Sequence, residues 1–168
     1  MIILGIDPGY AIVGYGVIDY RNNHFRVIDY GAILTDAKTP FNERLEIIYD
    51  RLTQIISLHS PEAMSVEKVF YNSNAKTVID VSQARGVIML AAQKNKLPVY
   101  EYTPLQVKQS VVGYGRAEKN QVQEMVKRIL ALEKVPKPDD TADALAMAVC
   151  HAQSSGSIMG NIRIKRGI

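Results

Sequence analysis

Ile2-Ile3-Leu4-Gly5-Ile6-Asp7-Pro8-Gly9 opens the chain and decides its architecture. An isoleucine-rich apolar run of this length is a buried strand, and Pro-Gly ends it at once. Asp7 is therefore a lone carboxylate carried to the end of a buried strand. A charge there costs desolvation energy unless something cationic meets it. Asp-Pro-Gly is also good turn chemistry, so a turn-initiating Asp is the competing reading of the same residues. What separates the two is whether other carboxylates converge on Asp7.

Outward from this strand, Ile12 to Tyr20 reads as a second strand and Phe25 to Leu34 as a third, joined by a hairpin turn at Arg21-Asn22-Asn23-His24. The three form an antiparallel meander, with Gly14 and Gly16 allowing close approach near Asp7. Pro40 opens a helix that carries Leu45, Ile48, Leu52 and Ile55 on one face and ends near His59-Ser60-Pro61. Ala63 to Glu67 is a short fourth strand, and it too ends in a carboxylate. A polar and aromatic loop, Lys68 to Asn74, leads into a long helix from about Ala75 to Lys96.

Pro98 to Tyr102 is a fifth strand, and Thr103-Pro104 supplies an N-cap and a first helical residue for a short helix. A glycine-containing loop, Gly113-Tyr114-Gly115, precedes an amphipathic helix from Lys119 to about Leu130. Pro136-Lys137-Pro138 breaks the chain before Asp140-Thr141-Ala142-Asp143 opens the last helix. This order predicts an α/β fold, a five-stranded mixed sheet with helices on both faces. Residues 1–153 are expected to form one domain, and residues 154–168 a basic, flexible tail.

With 168 residues, 47% apolar and 22% charged, the composition is that of a soluble globular domain large enough to bury its own core. A single cysteine, Cys150, excludes an internal disulfide framework and fits a reducing cytoplasm. No apolar run reaches the length of a membrane span, and no basic segment precedes the first apolar residues. A cytoplasmic location without a membrane partner is expected. The net charge of +3 is unevenly spread. Seven basic and three acidic residues lie between Pro104 and Pro138, and the end of the chain from Ala152 holds three basic residues and no acid. A basic region beside an acidic centre suggests a polyanion held next to metal-binding carboxylates, although a solvated helix face and a loose tail fit the charges as well.

Four acids stand at suggestive places: Asp7 and Glu67 at strand ends, and Asp140 and Asp143 at the start of the last helix. Asp140 and Asp143 are three apart and share a helical face, and a place in the first turn suits both to the helix dipole. Asp140 could equally be a plain N-cap, Asp143 an acid suited to the dipole, and Glu67 a satisfied surface acid. If strands one and four are parallel neighbours, however, Asp7 and Glu67 reach the same sheet edge. Four gathered carboxylates cannot all stay ionised without a counter-charge. Hard divalent cations with oxygen ligands, Mg²⁺ or Mn²⁺, are the natural partners. Zinc is disfavoured because His24, His59 and His151 are scattered and Cys150 sits in an apolar helix. Two hard cations clamp a phosphodiester, activating a water on one side and stabilising the leaving oxygen on the other.

Ile3 to Gly9 with Gly14-Tyr15-Gly16, Glu67-Lys68-Val69-Phe70 and Gln83-Ala84-Arg85-Gly86 together carry a family resemblance. It continues through Tyr102-Thr103-Pro104, Val107 to Gly113, Gly115 with Ala117-Glu118-Lys119, and Asp140 to Ala146. In this order and spacing the sequence resembles the RuvC family of Holliday junction resolvases, of ribonuclease H-like fold, from residue 1 to about residue 153. The resemblance implies a structure-selective endonuclease for four-way DNA junctions in recombination and repair. Asp7, Glu67, Asp140 and Asp143 would be its catalytic, metal-binding acids for two Mg²⁺ ions, with Mn²⁺ able to substitute. It places Lys108 and Lys119 near the scissile phosphate and Phe70 against junction bases. It also implies a homodimer working with the RuvA and RuvB branch-migration motor.

The residues themselves agree with those roles. Lys119 starts a helix after a glycine loop and can approach a phosphate. Phe70 sits in a polar loop beside Glu67, where an aromatic can stack on an unpaired base, although it could also cover the next helix. Near two-fold junction symmetry suits a C2 dimer, and the long helix after Phe70, apolar on more than one face, is the expected interface. Glu101, although it nears a strand end, is read as structural. Set in that frame, Gly9 leaves room for a phosphate backbone beside Asp7. An actin-like ATPase or sugar kinase shares the strand–Asp–Gly opening but needs two duplicated lobes, and no repeat is present. A nuclease acting on RNA or hybrid duplex, and a junction-binding protein whose acids are only caps, remain as alternatives.

Overall fold

The computed structural model describes residues 1–68 and 78–155. Three strands open it: β1 (Ile2–Asp7), β2 (Ile12–Arg21) and β3 (His24–Leu34). Asn22 and Asn23 take positive φ of 50° and 63°, which gives the hairpin the twist its strands require. Helix α1 (Phe41–His59) follows, then β4 (Ala63–Glu67), α2 (Val78–Lys94) and β5 (Val99–Tyr102). Three helices close the chain: α3 (Pro104–Val112), α4 (Lys119–Ile129) and α5 (Asp139–Ser155). The sheet order is β3-β2-β1-β4-β5, with β1 antiparallel to β2 and parallel to β4, so Asp7 and Glu67 leave the sheet at one edge.

Strand periodicity assigns the two faces. Leu4, Ile6, Val13, Val17, Met64 and Val66 join the core beneath α1 and α2. Ile3, Ile18 and Tyr102 join the core beneath α3, α4 and α5. Asp7 shares its parity with Ile3 and Gly5, and Glu67 shares its own with Ala63 and Ser65, so both acids face α5. That helix is buried almost without interruption from Thr141 to Ala152. Its alanines let it lie directly on the sheet. A Cβ at Gly5 would collide with the Ala144 carbonyl, and one at Gly14 with the Asp140 carbonyl. Because Gly14 is the ladder partner of Asp7, this contact brings the start of α5 to the end of β1.

The structure moves several boundaries. Pro40 is the residue before α1 rather than its first turn, and α5 starts at Asp139. Asp140 is therefore inside the first turn rather than at a cap, and Asp143 lies one turn further on, where the dipole has faded. Helix α5 includes Ser154 and Ser155, and the rest of the expected tail, residues 156–168, lies outside the described residues. The side chain that Gly9 lacks would meet the Ile12 carbonyl of its own turn. The turn itself therefore requires glycine, whatever passes over it. The start expected for the long helix at Ala75 lies outside the described residues. Among those described, no helix is long and apolar enough to cross a membrane.

Candidate active site

The buried strands carry Asp7 and Glu67 to neighbouring positions, and α5 brings Asp140 and Asp143 over them. Asp7 is the most perturbed group. Burial, followed by the charges of Asp143, Glu67 and Asp140, pushes its carboxyl from 3.8 to about 8, against the pull of Lys119. Glu67 is raised by burial and then by Asp143. Asp143 is raised chiefly by burial, while its hydrogen bond from Lys119 pulls the other way. Asp7 and Asp143 are thus each in electrostatic reach of the other three predicted acids. Each single alternative, cap or surface acid, leaves this mutual repulsion unexplained.

The counter-charge within the protein is Lys119. Its ammonium lies 2.9 Å from Asp143 and 3.6 Å from Asp139, and these acids hold its pKa above the ordinary lysine value despite desolvation. The position follows from local sequence. Glu118 caps α4 in a reciprocal box with Gln121, which starts the helix at Lys119 and points that side chain back toward α5. Thr103 and Gln106 form the same device at α3, which carries Lys108. Glu67, Lys108, Lys119 and Asp143 line one open cleft of about 200 Å³, floored by Val107, Val122, Ala146 and Met147.

The donor set is all carboxylate oxygen, and a hard divalent cation is the partner that relieves such repulsion without a soft or imidazole ligand. Among the described residues, no three acid, histidine or cysteine side chains stand close enough together to hold one ion as placed. The Lys119 ammonium occupies Asp143, so a cation drawing on Asp143 competes with Lys119.

One acid beside the cluster is not singled out by the sequence. Asp139 accepts from Lys137 at 2.5 Å and sits below the ordinary aspartate value, chiefly through that bond, and it is the second acid facing Lys119. Its only sequence signal is the doubled Asp139-Asp140, which periodicity alone does not resolve. Glu101, read as structural, pairs with Arg85 of α2. Phe70 lies outside the described residues. Cys150 is buried, as expected for a core thiol, and burial raises its pKa to about 11.

A mixed five-stranded sheet in this order, with helices on both faces, defines a protein of ribonuclease H-like fold. The comparisons give the family. The family model for crossover junction endodeoxyribonuclease RuvC matches residues 3–151. The crossover junction endodeoxyribonuclease RuvC of Ruminiclostridium cellulolyticum is 56% identical over 165 residues, covering 97% of this chain and 99% of its own. That of Clostridioides difficile is 59% identical over 155 residues, with 92% of each chain covered. Among solved structures, Thermus thermophilus RuvC in complex with a Holliday junction substrate superposes with a TM-score of 0.86 at 37% identity, covering 90% of this chain and 93% of its own. The yeast mitochondrial resolvase Ydc2, at 13% identity and a TM-score of 0.64, covers 92% of this chain and 80% of its own and shares the fold. The chain belongs to the RuvC family.

Proposed function

We propose that this chain resolves four-way DNA junctions in recombination and repair by paired hydrolysis of phosphodiesters. In this reading Asp7, Glu67, Asp140 and Asp143 hold hard divalent cations, two Mg²⁺ or in their place Mn²⁺. The observation that carries it is the convergence of Glu67, Asp140 and Asp143 on Asp7, beside a cleft that two lysines share with Glu67 and Asp143. Bound cations would supply activation of water and stabilisation of the leaving oxygen. The chain's own groups do the rest. Lys108 and Lys119 receive the phosphate from opposite helices, and Lys119 leaves Asp143 to do so. The apolar floor keeps bulk water from the lysine–phosphate contact and strengthens it. Phe70, beside Glu67 in sequence, engages bases opened at the branch point.

Two matched cuts in a near-symmetric junction call for a homodimer. Ile79 and Leu90 of α2 are exposed apolar side chains suited to that contact. Cooperation with RuvA and RuvB and a cytoplasmic location complete the proposal. The test is a synthetic four-way junction with Mg²⁺. Paired nicks in the wild type, with none in Asp7→Asn and junction binding retained, are expected. Binding without nicks under any divalent cation would leave a binding module instead. Faster breakdown of RNA–DNA hybrid than of junctions would reassign the substrate.

A further inference from the structure

Tyr102 is where three parts of the cleft meet. It is the last residue of β5 and the ladder partner of Glu67, and its carbonyl accepts the Lys68 N–H at 2.8 Å. The peptide that follows Glu67 is therefore fixed by the Tyr102 backbone. The next residues, Thr103 and Pro104, start α3, which presents Lys108 to the same cleft. The Tyr102 side chain, only 4% exposed, points to the α5 face and places its hydroxyl 2.8 Å from His151 Nδ1. His151 is 2% exposed and belongs to the helix that carries Asp140 and Asp143. Its ring lies against Tyr100, with centroids 4.3 Å apart.

This polar pair, which Ser154 joins by a hydrogen bond with the tyrosine, is set among mainly apolar core residues. A buried hydrogen bond adds only about 1 kcal/mol net. What it adds beyond apolar contact is a fixed distance and direction. On the β1–β2 side α5 needs no such device, because glycines let its backbone rest on the sheet. On the β4–β5 side the cleft separates the helix from Glu67. We infer that Tyr102 and His151 form a positioning pair that sets the span between Glu67 and the acid-bearing turn of α5. The inference rests on the nuclease reading of this cleft. Burial lowers the His151 pKa to about 4, which keeps the ring neutral at working pH, with one nitrogen a donor and the other an acceptor.

The experiment uses the full chain bound to a saturating four-way junction, with single-turnover cutting followed across Mg²⁺ concentrations. Tyr102→Phe and His151→Leu are expected to cut on the order of 10- to 100-fold more slowly and to need more Mg²⁺ for half-maximal rate. Junction Kd should stay within about twofold of the wild type. His151→Asn, whose amide can replace Nδ1, should recover most of the rate. The double variant should be no slower than the slower single one. Tyr102→Phe, which keeps the ring, decides the matter if the leucine variant fails to fold. Wild-type cutting by Tyr102→Phe, or equal impairment of the asparagine and leucine variants, overturns the inference alone. A wild type that cuts no junction refutes the nuclease reading, and the inference with it.

Discussion

Replacing Asp7 with Asn should abolish cutting and, in the same molecule, raise the stability of the cation-free protein increasingly with pH. Below the ordinary aspartate value of 3.8, folded and unfolded chains both hold the proton, and Asp7 favours neither. As pH rises from there, the unfolded chain releases its proton while the folded chain keeps it until about 8. The wild type thus loses stability through that window and carries the full cost above it. At about 1.4 kcal/mol per pH decade the upper bound is roughly 6 kcal/mol. The Lys119 ammonium, 57% exposed and therefore screened by water, offsets part of this, and the neighbouring acids share the burden. A gain of about 2 kcal/mol for Asp7→Asn at about pH 8.5 is expected, and roughly a quarter of it at about pH 5.

For a chain of this length that gain is a rise of about 4–8 °C in Tm at the higher pH. Thermal unfolding of both proteins in chelator, at the two pH values, measures it. Equal Tm differences at both, or a less stable variant at high pH, would refute the claim that Asp7 is a charge held at a cost in stability. Junction binding measured alongside should stay within a few-fold of the wild type, since the substitution removes negative charge from a polyanion site.

Lys119→Gln removes the ammonium that occupies Asp143. The free protein should bind Mn²⁺ about three- to fivefold more tightly by calorimetry, as expected for one half-exposed ion pair, while cutting slows at least about tenfold. Unchanged cation affinity would show that the lysine and the ion do not compete. Gly14→Val drives a side chain into the Asp140 carbonyl and should cost about 1–3 kcal/mol in denaturant melts, with cutting lost well before folding. Wild-type cutting by that variant would show that α5 can stand off the sheet without loss. Phe70→Ala should slow cutting more than it weakens junction binding, and wild-type cutting would return Phe70 to a packing role.

The strands were legible because their chemistry is local. Ile2 to Asp7 is buried on both faces, so it reads as an unbroken apolar run, and the meander follows from β-branched alternation closed by Asn22-Asn23. Parallel pairing of β1 with β4 was reachable too, since a helix between two strands returns the second in the same direction. Helix starts were harder. Lys137-Pro138-Asp139-Asp140 holds two acids, and which of them opens α5 depends on where the backbone first satisfies its bonds. One residue of register separates a cap from a position inside the first turn. The bond between Tyr102 and His151 was not legible at all, because each residue reads locally as part of an apolar element and only the packing of α5 against β5 joins them.

The same limit shows why Asp7 was ambiguous from its own surroundings. A turn aspartate and a catalytic aspartate make the same local sequence, and nothing within a few residues distinguishes them. The distinction lies in what the glycines permit. Gly5 and Gly14 have no local need of their flexibility inside regular strands, where glycine weakens pairing. They are explained by α5, whose backbone occupies the space their side chains would fill. A chain selected for stability alone would fill those positions and hold α5 away, leaving Asp7 solvated and its pKa ordinary. This chain instead gathers four carboxyl groups, one of which keeps its proton to about pH 8, and opposes them with the Lys119 ammonium. That arrangement costs stability in the free protein, and in the proposed reading a bound divalent cation would recover it.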